Sequence, residues 1–104
     1  MEVLLIHRLI GVVPPEMLAA MLELGKKLHS NPEEVVPGGK LNASYVARAQ
    51  SMIVCLWEVP SMDVLMPALE QFKMLGWDTD TIPVEKMEVT IPKLEKALQA
   101  MQAK

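Results

Sequence analysis

Few side chains in this 104-residue sequence can do chemistry, and most of them fall on two short apolar runs. His7 follows Val3-Leu4-Leu5-Ile6, while Cys55, Trp57 and Glu58 belong to Ser51-Met52-Ile53-Val54-Cys55-Leu56-Trp57-Glu58-Val59-Pro60. A histidine in a strand can bind a metal or move a proton, because its ordinary pKa lies near neutrality. Its plainer role is a ring hydrogen-bonded to a neighbour or to water. Cys55 could act as a ligand or nucleophile, whereas a lone buried cysteine behaves as a small hydrophobe, and no second cysteine exists to share a metal. Glu58 could serve as a base or ligand at a strand end, a place where solvated carboxylates also belong. Side chains alternate along a strand, so Cys55 and Trp57 share one face and Glu58 takes the other. Only a bulge could aim Cys55 and Glu58 at one site.

Tyr45 could line a pocket and hydrogen-bond a ligand, or stand as an amphipathic edge residue. His29 closes a helical segment, where its ring suits the negative end of the helix dipole. Nine methionines suggest copper at first sight. The helical spacing of Met17 and Met21 fits adaptable packing better. No glycine-rich dinucleotide loop, phosphate-binding loop, nucleophile elbow or H-E-x-x-H motif is present.

The elements that must position these residues follow from pattern and punctuation. Glu2 to Leu9 is aliphatic and bounded by Gly11 and Pro14-Pro15, which predicts a strand with His7 on the face of Val3, Leu5 and Leu9. Pro15 opens a helix carrying Met17, Leu18, Met21, Leu22, Leu24, Gly25 and Leu28, and Pro32 ends it. Glu33 to Gly39 reads as a mobile loop. Lys40 to Ala49 alternates, with Leu41, Ala43, Tyr45 and Ala47 on one face. Ser51 to Pro60, apolar throughout, reads as a central strand buried on both faces.

Ser61 is a good helix cap before Val64, Leu65, Ala68, Leu69 and Phe72, although Pro67 implies either a kink or a later start. Gly76 suits a left-handed helix terminus, with Trp77 packing back on Phe72. Thr81 to Val89 reads as an edge strand containing Pro83, with Ile82, Val84 and Met87 inward. Pro92 opens a final helix, about 91–103, whose Leu94, Ala97, Leu98 and Met101 should dock somewhere apolar.

Strand, helix, strand, strand, helix, strand, helix makes two split βαβ units and a single α+β domain spanning residues 1–104. The expected sheet is antiparallel with strand order 4-1-3-2, two helices on one face, and a ferredoxin-like fold. Apolar residues make up 51% of the chain and mean hydropathy is +0.23, an excess that points to a second buried surface. The central strands are apolar on both faces, with Val3, Leu5, Leu9, Ile53, Cys55 and Trp57 on one and Leu4, Ile6, Val54 and Leu56 on the other, so the face that the helices leave bare must meet something, most simply a second copy. A net charge of -3 with scattered basic residues speaks against nucleic-acid binding. No apolar run approaches the ~20 residues of a membrane span, and no signal peptide is visible, so the expectation is cytoplasmic.

Val54-Cys55-Leu56-Trp57-Glu58-Val59-Pro60-Ser61, the helix ending Leu75-Gly76, and Ile82-Pro83-Val84-Glu85 resemble the dimeric α/β-barrel superfamily. More narrowly they look like a small bacterial and archaeal family of unknown function, one relative of which binds nickel. That resemblance implies a homodimer whose two sheets enclose a barrel. Nickel-binding relatives carry a histidine before the helix-ending glycine, where this chain has Gln71, Phe72 and Lys73. The leading expectation is a small-ligand-binding homodimer with His7, Tyr45, Cys55, Trp57 and Glu58 around the ligand. It needs no cofactor, and His7 would be the ligand should a divalent metal such as nickel bind. The alternatives are a cofactor-independent monooxygenase or isomerase, as some relatives are, and a protein-interaction or structural module.

Overall fold

A computed structural model describes residues 1–103. The chain runs β1 (Glu2–Leu9), α1 (Pro15–Ser30), β2 (Lys40–Ala47), β3 (Met52–Glu58), α2 (Met66–Met74), β4 (Trp77–Val84) and α3 (Met87–Gln102). The four strands form one antiparallel sheet in the order β2-β3-β1-β4, the ferredoxin-like arrangement expected from the pattern. The two most aliphatic strands, β1 and β3, take the centre, and Pro83 sits in the edge strand β4, where a missing N–H costs least.

Pairing of Val3 with Trp57, Leu5 with Cys55 and His7 with Ile53 defines the sheet face turned to α1 and α2. Val3, Leu5, Cys55 and Trp57 are buried there with Leu65, Ala68 and Phe72 from the α2 region. The opposite, open face carries Leu4, Ile6, Val54 and Leu56, all half-buried, beside an exposed Tyr45 and Ile82. In β2 the expected alternation fails because a bulge falls between Leu41 and Ala43. The extra residue, Asn42, turns Leu41 towards the helices while Ala43 and Tyr45 keep the open face.

Several boundaries differ from the sequence reading for local reasons. Met62–Leu65 is a 3-10 turn, and α2 begins at Met66 with Pro67 in its first turn, so Pro67 marks a later start; Ser61 makes no side-chain cap. Gly76, at φ +90, ends the helix, and the chain enters β4 at once at Trp77. β4 closes at Val84, so Met87 opens α3 instead of facing inward, and Pro92 lies inside that helix. Ile82 sits on the open face. The supposed mobile loop is structural: a 3-10 turn at Pro32–Glu34 drives Val35 and Val36 into the core. The turn that follows is tight, and a Cβ on Gly39 would lie 2.6 Å from Val36 Cγ1.

Candidate functional site

Beneath α1 the helix and the sheet do not close on each other. α1 buries none of its residues, and although Leu24 and Leu28 reach the core, Gly25 between them has no side chain. On the sheet wall Ser44 and Cys55 are small too. The result is a cavity of about 130 Å³ bounded by His7, Ser44 and Cys55 from the strands, Leu24, Gly25 and Leu28 from α1, and Phe72 and Trp77. His29, exposed at the end of α1, stands at its edge.

His7 is the only polar or charged side chain buried in the described residues, at 4% exposure. Its Nδ1 shares a hydrogen bond of 2.8 Å with Thr79 Oγ1, its cross-strand neighbour on β4. Phe72 meets the imidazole edge-on at 4.7 Å between ring centroids, and Trp77 does so at 6.4 Å. This apolar enclosure disfavours the imidazolium and lowers the pKa to about 4, so the ring is neutral at physiological pH. One nitrogen of the ring is held by Thr79, and Nε2 makes no hydrogen bond within the described residues, which leaves it as the group a ligand can reach. Cys55 Sγ lies 3.7 Å from Ser44 Oγ in a shared hydrogen bond. Burial pushes the thiol pKa up, an effect larger than the opposing contribution of Ser44, so sulfur stays protonated.

Of the residues expected around a ligand, the fold brings His7 and Cys55 together and separates the rest. Trp57 points to the same side but lies fully buried in the core away from the cavity, and its Nε1 has no hydrogen-bond partner. Tyr45 is 73% exposed on the open face. Glu58 is also exposed, and its carboxylate receives a hydrogen bond of 3.3 Å from the amino group of Met1. The cavity therefore lies between sheet and helices, not on the open face where a two-sheet barrel would enclose one.

Thr79, Ser44, Phe72 and Trp77 complete the site without having been singled out for it. Thr79 was missed because the fourth strand was placed four residues too late, at Thr81 instead of Trp77. A strand starting directly after Gly76 would have set Thr79 opposite His7.

No family model matches this chain, and no curated protein matches it in sequence. The nickel implied by resemblance can be tested against the residues themselves. Among the described residues, no three His, Cys, Asp or Glu side chains come together to hold a metal ion. His7 and Cys55 are fewer than the protein ligands a transition metal ordinarily takes, so a metal here would need ligands from elsewhere. Among the described residues no helix is long and apolar enough to cross a membrane.

Proposed function

We propose that this protein binds a small, largely apolar molecule in the cavity beneath α1, with His7 Nε2 and the Ser44 hydroxyl as its polar anchors. The observation that carries this reading is the coincidence of the cavity with the one polar side chain buried among the described residues, a neutral His7 held in place by Thr79. An apolar ligand that fills this space takes apolar surface out of water, and because it binds only the folded chain it stabilises the fold. The size selects the ligand class: apolar cavities of about 150 Å³ take up benzene, which points to a single ring or short branched chain bearing one polar group.

Binding is favoured over catalysis by the state of the two reactive groups. A histidine with a pKa of about 4 is a weak proton acceptor near neutrality, and a protonated thiol is a poor nucleophile. We further propose that the open face, with Leu4, Ile6, Val54 and Leu56, is covered by the same face of a second copy, giving a homodimer. Trp77 reports on the cavity, and Trp57→Phe removes the only other tryptophan. In that variant, small phenols and benzyl alcohols should change Trp77 emission saturably. No saturable response across such a panel would overturn the reading. Light scattering on Leu56→Lys tests the sheet interface separately: the substituted protein should self-associate more weakly than the parent.

A further inference from the structure

Exposed apolar side chains are concentrated on α3. Met87, Ile91, Leu94, Leu98 and Met101 all stand in solvent, and the helix buries none of its residues. The molecule extends 62 Å along one axis against 29 and 19 Å along the others. α3 makes no extensive contact with any other element. At its root Glu85 accepts hydrogen bonds from Thr90 Oγ1 at 2.7 Å and from Lys93 Nζ.

The spacing of those apolar residues says what covers them. They fall four, three, four and three positions apart, a repeat of 3.5 residues that forms a straight seam when two helices wind around each other. A helix lying on a broad groove or a sheet needs a wider stripe. Here the positions flanking the seam are Glu88, Thr90, Glu95 and Ala97, none of them large and apolar. Pro92 faces away from the seam, although within the helix it leaves the Glu88 carbonyl without its helical partner. Ile91 at an a position with Leu94 at the following d position is the combination that favours two strands. Charge then selects the direction. In an antiparallel pair the column of Glu88 and Glu95 would face its own copy, whereas in a parallel pair Glu95 meets Thr90.

We propose that α3 is a self-association arm, its seam of Met87, Ile91, Leu94, Leu98 and Met101 pairing in parallel with the α3 of a second copy of this chain. Each copy offers the same surface, so the contact closes around a two-fold axis. The interaction is independent of the cavity and uses a different surface from the open sheet face.

Site-specific cross-linking in the full chain tests it. Cys55 is the sole native cysteine, so a Cys55→Ser background carries either Leu94→Cys, in the seam, or Lys93→Cys, beside it. Under mild oxidation the Leu94→Cys protein should form the intermolecular disulfide at least about tenfold faster, because seam positions of a parallel pair meet within disulfide reach. Equal rates, or no cross-link in either protein, would overturn the arm. The double variant Leu94→Glu/Leu98→Glu, read by sedimentation, should associate at least about tenfold more weakly. A dimer unaffected by that change but lost in Leu56→Lys would reject the arm and retain the sheet interface.

Discussion

His7 Nδ1 and Thr79 Oγ1, on neighbouring strands and far apart in sequence, share a hydrogen bond of 2.8 Å at the wall of an apolar cavity. The bond orients a neutral imidazole and reserves its other nitrogen. Thr79→Val keeps the shape of the side chain and deletes the hydroxyl. Leaving the buried His7 ring without this partner should cost about 1–2 kcal/mol in urea unfolding, with little change in the m-value. A loss below a few tenths of a kcal/mol would show that the bond does not hold the ring.

The same burial makes stability depend on pH. The unfolded chain binds a proton at His7 near pH 6.5, and the folded chain resists it until about pH 4. Between those values the unfolded state holds more protons, so stability is fully present above about pH 6.5 and falls as the pH drops towards 4. The full effect is on the order of 3 kcal/mol. His7→Leu should flatten this part of the stability curve, measured by denaturant midpoints from pH 7 to pH 4. Cys55 stays protonated across this range and does not supply the same slope.

Gly25 is where α1 gives up packing to leave space. Nothing lies within 4 Å of a Cβ placed there, and its backbone is helical, so Gly25→Ala should stabilise the fold by about 0.5–1 kcal/mol through helix propensity alone. Thermal unfolding would register this as a rise of a few degrees. A fall in stability would mean that the helix sits closer to the sheet than described.

Gly39 is the opposite case. A methyl group there would lie 2.6 Å from Val36 Cγ1, inside a turn that holds a core residue. Gly39→Ala should cost about 1–3 kcal/mol, because Val36 cannot retreat without opening the core. Gly25→Ala and Gly39→Ala thus make a matched pair with opposite signs in the same unfolding assay.

The architecture was legible in the sequence where pattern and punctuation agreed. β1 and α1 follow from apolar period and proline placement with their boundaries intact. That Cys55 and Trp57 share one face of β3 follows from simple alternation, but which face the helices cover does not. Legibility failed where the chain departs from ideal periodicity. The bulge at Asn42 breaks the alternation in β2, and Val35 and Val36 look like loop residues until the 3-10 turn folds them inward. The site was half legible: His7 and Cys55 stand out by type, but their partners Thr79 and Ser44 become visible only through strand register. Tyr45 and Glu58, also expected around a ligand, stand on the face opposite Cys55.

Whether the cavity receives a ligand is decided most directly by amide and side-chain NMR during titration with a small phenol, comparing the native chain with Gly25→Leu. The native chain should show saturable shifts centred on His7, Gly25, Ser44, Cys55 and Trp77. Gly25→Leu, which places a side chain into the space, should remain folded and lose those shifts. Shifts absent from the native chain, scattered over the open sheet face, or unchanged in Gly25→Leu would contradict a ligand site beneath α1.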